Sequence, residues 1–312
     1  MLGKTAGGLY WMARYLERSE NTARLVEAGQ RIALTRSAAD DEWVSVLQTA
    51  SVLVGYKRKY NDVTKENAID WMLRDRDNPS SVLSVVESAR NNAKLVRTAL
   101  TREVWEGVNE AWMVLKDTLA KRVNERDLPQ ALGVIRQRSA FVRGAMHGTM
   151  LRNDIYNFAR IGTFIERSDN TARILDVKYY VLLPSASAVG SRLDNMQWET
   201  ILRSVSAEGG FRMTYGQDAR PRQISQFLIL DTRMPRSLAF CVNKLRDNLG
   251  YLNGDTGIRL PSLELADKLH GTFLAQTVEQ IFDHGLHEFI QEFLTATAVL
   301  GRQTEVDYRF YE

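Results

Sequence analysis

Two stretches of the chain carry the same chemical groups. Residues 15–28 read YLERSENTARLVEA and residues 164–177 read FIERSDNTARILDV. Glu17/Glu166, Arg18/Arg167, Ser19/Ser168, Asn21/Asn170, Thr22/Thr171, Ala23/Ala172 and Arg24/Arg173 are identical, and Glu20/Asp169 is like for like; the offset from Glu17 to Glu166 is 149 positions. On a helix, Glu17, Asn21 and Arg24 fall at i, i+4 and i+7, so a carboxylate, a carboxamide and a guanidinium share one stripe. Glu166, Asn170 and Arg173 form its twin. A guanidinium grips carboxylate or phosphate bidentately, and a carboxylate receives a cation or an amide donor. Three readings stand together: a solvated face whose i,i+4 pairs are worth roughly 0.2–0.5 kcal/mol each, a satisfied polar network against another helix, or a groove for a charged ligand or partner. Glu17 and Arg18 are adjacent and point about 100° apart, so they are no simple pair. Arg18 and Arg167 lie nearer the apolar boundary and read as braces, with packed stems and hydrogen-bonded heads.

Other chemistry-bearing residues are weaker candidates. Asp283, His284, His287 and Glu288 cluster at a helix start, with His284 and His287 at i,i+3. The HExxH order and a third ligand at known spacing are missing, so polar helix-terminus roles are preferred to metal. Cys241 lies within AFCVNKL and reads as a small packed residue. His147 lies near Arg143 and Arg152. The glycine pairs at 7–8 and 209–210 lack the context of a phosphate loop, so no nucleotide site is expected in this chain. Trp71, Trp105, Trp112 and Trp198 sit at core spacing. The tail DYRFYE, 307–312, holds three aromatics at a terminus that otherwise frays, and it is expected to dock on its own body or on a partner.

The elements that position these groups are helices. Residues 8–35 gather Leu9, Met12, Leu16, Ala23, Val26 and Leu34 on one face, with the polar stripe opposite. Further helices are expected over 41–54, 64–74, 80–104, 108–122, 130–151, 154–183, 193–207, 223–230, from 238 to about 249, 262–283 and 285–302, with a break at Gly107. Residues 184–191 read as a linker and 209–222 as a loop. Only 306–311 could pass as a strand. A second pair of stretches also matches: DWMLRDRDNPSSV, 70–82, and QFLILDTRMPRSL, 226–238, share Asp75/Asp231, Pro79/Pro235 and Ser81/Ser237. The expectation is an all-α, internally duplicated multi-helix bundle with a pseudo-two-fold relation between units 1–152 and 153–312.

The 312 residues suit one large domain or two fused units. Hydrophobic and charged fractions of 44% and 25% are ordinary for a globular chain. A net charge of +3 is too mild to support nucleic-acid binding. No apolar run approaches the roughly 18–20 residues of a membrane span. A single cysteine excludes an intrachain disulfide framework, and the N-terminus lacks the apolar stretch of a secretory signal, so a cytoplasmic location is expected.

The sequence resembles the alpha-E domain family, bacterial all-helical proteins named for this Glu-Arg motif. The resemblance rests on LYWMARYLERSENTAR (9–24), NPSSV with ARNNAKLVR (78–97), IERSDNTAR with LDVKYY (165–180) and LDTRMPRSLAF (230–240), and it covers essentially the whole chain. Members are encoded beside circularly permuted ATP-grasp ligases and often beside transglutaminase-like peptidases. The resemblance therefore implies an accessory or substrate-presenting subunit in amide- or peptide-bond formation, with ATP and Mg held by a partner ligase. The alternatives are a stand-alone ligase or transferase with a Glu/Arg pocket between the repeats, and a structural scaffold. A homo-oligomer is left open.

Overall fold

A computed structural model describes residues 2–33, 40–180, 192–216, 220–254 and 259–311. Among them there are fifteen α-helices and no strand: α1 Gly3–Ala33, α2 Asp40–Thr49, α3 Leu53–Lys57, α4 Lys65–Leu73, α5 Val82–Leu95, α6 Arg102–Thr118, α7 Leu128–Thr149, α8 Asp154–Tyr180, α9 Arg192–Ser204, α10 Glu208–Tyr215, α11 Pro221–Leu230, α12 Leu238–Gly254, α13 Pro261–Leu269, α14 Val278–His284 and α15 Leu286–Asp307. The chain is all-α, as its periodicity implies. It divides into two compact units, Met1–Glu166 with Tyr308–Glu312, and Arg167–Asp307. The division falls inside α8, between a glutamate and an arginine that are neighbours in sequence; the sequence expectation put it at 152/153, where α8 begins.

In the first unit α1 is the central helix. It packs against α5 and α7, with α2 and α4 touching it as well, and α6 closes against α5 and α7. Met12, Ala13 and Leu16 of α1 meet Ala89 and Ala93 of α5, Val104 and Val108 of α6, Val142 and Met146 of α7, and Tyr156 and Ala159 of α8. Gly162 allows a close approach of α8 to α1: a Cβ there would stand 2.2 Å from the Tyr10 carbonyl oxygen. In the second unit α12 packs on α11 and α13, and α15 on α13 and α14.

Several boundaries differ from the sequence reading. The helix expected over 80–104 stops at Leu95, a 3-10 turn covers Arg97–Ala99, and α6 restarts at Arg102. Gly107 does not break it; this glycine is buried where α6 crosses α7, with the Phe141 ring 3.0 Å from where a Cβ would sit. The span 41–54 divides at Ser51, whose φ of 57° separates α2 from α3. The span 262–283 divides too, with a π turn at His270–Leu274 and a Thr277/Gln280 capping box starting α14. Residues 209–215, within the stretch read as loop, belong to α10. Phe211 is buried there, stacked on Tyr215 at 5.0 Å and edge-on to Phe227 at 5.7 Å, and this packing overrides the weak helix preference of two glycines. The linker at 184–191 lies outside the described residues.

The two Asp-Pro-Ser stretches build similar local turns, each within its own unit. Asp75 Oδ1 accepts from the Asp77 amide at 3.0 Å, and Asp231 Oδ1 from the Arg233 amide at 2.8 Å. Ser81 then caps α5 by accepting from the Ser84 amide at 3.3 Å, and Ser237 accepts from the Phe240 amide at 3.0 Å as α12 begins. The tail is not a strand. It is a turn docked on the first unit, where Phe310 is 4% exposed between Tyr10 and Phe158 at centroid distances of 5.2 and 6.0 Å. Gly3 and Gly7 make room for it; a Cβ on Gly7 would lie 2.9 Å from Phe310 Cβ.

Candidate functional site

The polar stripe of α1 is inside the first unit. Glu17 and Asn21 are each 3% exposed and Glu20 is 1% exposed, whereas the Arg18 side chain is 27% exposed. A helix covered by neighbours on several sides buries its polar face along with its apolar one, so the wheel orders the groups correctly without fixing which face meets water. Ser19 marks the α1–α7 crossing: its Oγ donates to the Leu16 carbonyl at 2.7 Å and lies 3.0 Å from Ser139 Oγ.

Two carboxylates organise the buried charge. Glu166, from α8, receives a fork from Arg18: Nε to Oε1 at 2.5 Å and Nη2 to Oε2 at 2.9 Å. Arg14 Nε adds a third bond to Oε2 at 3.0 Å, while its Nη1 donates to Tyr10 Oη at 3.2 Å and its guanidinium lies 4.6 Å from the Trp11 ring centroid. Burial pushes the Glu166 carboxyl up, but the two guanidiniums outweigh it and hold the group at about 2. Burial likewise opposes the charge on Arg14, and Tyr10 and Glu166 outweigh it, so Arg14 is raised above its ordinary value. The adjacent Glu17-Arg18 is not a pair; the arginine of the first motif is held by the glutamate of the second.

Glu20 is the second centre. Arg24 donates to its Oε1 from Nη2 at 2.7 Å and from Nε at 3.1 Å, and Arg143 Nη1 donates to Oε2 at 2.6 Å. The same Arg143 atom reaches Glu17 Oε2 at 3.3 Å, so α7 clamps two successive turns of α1. Arg24 thus answers Glu20 rather than Glu17. Glu20 and Arg143 were not singled out by the stripe; the acid kept at both copies, Glu20/Asp169, is the signal that points to the first, and nothing in the spacing points to the second.

Beside Arg143 lies a cleft of about 20 Å³ between α1, α7 and α8, with Glu17, His147 and Arg160 among its walls. That is room for a water-sized group. Arg160 Nη1 is 2.8 Å from His147 Nε2, and Tyr156 Oη is 2.9 Å from Nδ1. A guanidinium cannot accept, so in this contact Nε2 takes the acceptor role.

In the second unit the motif does different work. Arg167, 6% exposed, donates from Nη1 to the Pro235 carbonyl at 3.3 Å, and Thr171 Oγ1 donates to the Arg236 carbonyl at 2.8 Å. The ER helix is thereby tied to the repeated Asp-Pro-Ser turn. Arg173 pairs with Asp169 one turn before it, at 2.7 and 3.1 Å. Asn170 Nδ2 is buried with no hydrogen-bond partner among the described residues. His287 Nδ1 meets Asp176 Oδ1 at 2.6 Å, and Gln291 donates to the other oxygen at 2.8 Å, while His284 faces Glu292 at 3.4 Å. No group of three or more His, Cys, Asp or Glu that could hold a metal occurs among the described residues. Cys241 is fully buried, and no helix among the described residues is long and apolar enough to cross a membrane.

Comparison with known proteins agrees with this picture at the level of family. The chain is 25% identical over 315 aligned positions to an uncharacterised protein of Mycobacterium bovis and, equally, to uncharacterised proteins of two strains of Mycobacterium tuberculosis. The alignment covers 92% of this chain and 34% of each relative, so the chain spans about a third of the length of the curated relatives it matches. No solved structure matches it significantly. A family model covers residues 1–308 and is described as a predicted alpha-helical domain with a conserved ER motif; with that motif folded into the ion-pair network around Glu166, the chain belongs to the Alpha-E family.

Proposed function

We propose that this chain is an accessory subunit, not itself nucleotide-binding, of an amide- or peptide-bond-forming system, working beside an ATP-grasp-type ligase that holds ATP and Mg. The observation that supports a subunit over a stand-alone enzyme is how the ER acids are used. Glu166 is clamped by Arg14 and Arg18, and Glu20 by Arg24 and Arg143. A carboxylate held this way is a poor general base or nucleophile, because catalysis asks for a pKa near the working pH and a free lone pair. The ER residues serve as braces, and Glu17→Ala with Glu166→Ala would damage the fold instead of isolating a contact. The ligase partner follows from the family resemblance, and relatives that carry the domain in a third of a longer chain accord with a module that acts alongside others.

The experiment is co-expression with a neighbouring ATP-grasp ligase, then affinity co-purification and amine-dependent ATP hydrolysis with and without this chain. A stable complex and a several-fold rise in turnover are expected. No complex and identical turnover would refute the proposal. Acyl-transfer by the purified chain alone would replace it with the enzyme reading.

A further inference from the structure

A second opening lies away from the ER network. The length of α4, from Glu66 to Arg74 just past its end, and the segment between α6 and α7 line a pocket of about 190 Å³. This is below the roughly 300–1,000 Å³ of sites for drug-sized ligands and suits a smaller molecule. Its floor is apolar: Ile69 and Leu73 are buried at its base and Val123 closes one side. Its polar groups are of both signs. Asp70 is buried and accepts from Arg74 Nε, with Arg122 Nε 3.4 Å from its other oxygen. Arg122 also donates from Nη2 to Asn67 Oδ1 at 3.1 Å.

Two guanidiniums therefore share one buried carboxylate, leaving one positive charge in excess and the Nη atoms of Arg74 and Nη1 of Arg122 for another acceptor. Glu66 lines the same pocket, is exposed, and makes no hydrogen bond or ion pair among the described residues. One positive charge in excess, one carboxylate with no protein partner among the described residues and an apolar floor are complementary to a small molecule with the same three features. A simple anion would leave Glu66 facing it, and a simple amine would face the arginines. Two opposite charges close together on an apolar body remove both mismatches.

We propose that this pocket binds a free α-amino acid with an aliphatic side chain. Its carboxylate sits on Arg122 and Arg74, its ammonium on Glu66, and its side chain on Ile69, Leu73 and Val123. The site stands independently of the ligase-partner reading, since it needs only this chain.

The test is titration of the whole chain with leucine, 4-methylpentanoate and 3-methylbutylamine, followed by calorimetry and by amide NMR of the Glu66–Arg74 and Arg122–Asn124 segments. Leucine is expected to shift these amides saturably, and each single-charge analogue to bind at least about tenfold more weakly. Glu66→Gln and Arg122→Gln alter exposed side chains, and unchanged circular dichroism checks their fold. Each should weaken leucine about tenfold, and Glu66→Gln should leave 4-methylpentanoate unweakened. Absence of a saturable leucine response overturns the proposal. So does equal binding of leucine and 4-methylpentanoate, which would make this a plain anion site, and so does unchanged leucine affinity in both variants.

Discussion

Replacing Glu166 by glutamine tests the central claim about the ER motif. Glutamine is the near-isostere of the protonated acid, so the change removes charge and little shape. It leaves Arg14 and Arg18 facing a neutral amide, and Arg14 is largely enclosed by Tyr10 and Trp11. The carboxyl is held at about 2 against an ordinary value of 4.5. At 1.36 kcal/mol per pKa unit that shift corresponds to about 3 kcal/mol, and removing one partner of a buried ion pair costs about 3–5 kcal/mol. The two routes agree on about 3 kcal/mol. The sign is fixed by the direction of the shift: a depressed carboxyl contributes stability that is full above the unfolded value of 4.5 and is lost as pH falls through about 2. Urea denaturation of wild type and Glu166→Gln at a series of pH values should show a constant gap of about 3 kcal/mol at neutral pH. The gap should narrow below pH 4.5 and close only below about 2, where the wild-type side chain itself becomes neutral. A gap under about 1 kcal/mol, or one that does not change with pH, would falsify the assignment of Glu166 as the charged hub.

Three further outcomes are expected. Glu20→Gln strips Arg24 and Arg143 of their shared acceptor and should cost about 3 kcal/mol in chemical denaturation, whereas Glu106→Gln, which breaks a surface pair with Arg102, should cost under about 0.5 kcal/mol. Phe310→Ala should destabilise by about 3 kcal/mol and raise hydrogen exchange at the start of α1, where Gly3 and Gly7 face the tail. Ser81→Ala and Ser237→Ala each remove a helix cap and should cost about 1 kcal/mol apiece; because the two turns belong to different units, the double variant should show the sum in the thermal midpoint.

The helical class and the packed tryptophans were legible in the sequence, because period is a local property; Trp71, Trp112 and Trp198 are buried and Trp105 is partly so. The ER motif was legible as an important stripe, with a polar network against another helix among its three readings, but the sequence did not choose between them. Polarity places Glu17 and Asn21 on one face of α1, and only tertiary packing by α5 and α7 decides that this face is covered. The pairing partners were hidden for the same reason: Arg143 and Glu166 lie 126 and 148 positions from Glu17 and Arg18, and no spacing rule reaches that far. The misread segment 209–215 shows the converse case, in which glycines argued for loop and the ring stack of Phe211, Tyr215 and Phe227 decided for helix. No spacing in the sequence joins the acids and arginines of the Asp70 pocket, because Arg122 reaches α4 from the segment after α6.

The docked tail has a consequence for synthesis. The slot of Gly3, Gly7, Tyr10 and Phe158 is made early in translation, but its plug, Tyr308 to Phe310, is joined to the same unit only after the intervening residues 167–307 have emerged. The nascent first unit must wait with an aromatic-lined groove open, and closing it is a contact of very long sequence separation, which is slow to form. A chain cut before residue 308 leaves that groove uncovered, with Tyr10 and Phe158 deprived of the Phe310 ring. Packing of Phe310 on Tyr10 and Phe158 therefore makes the first unit's core depend on residues that follow the whole of the second unit in sequence.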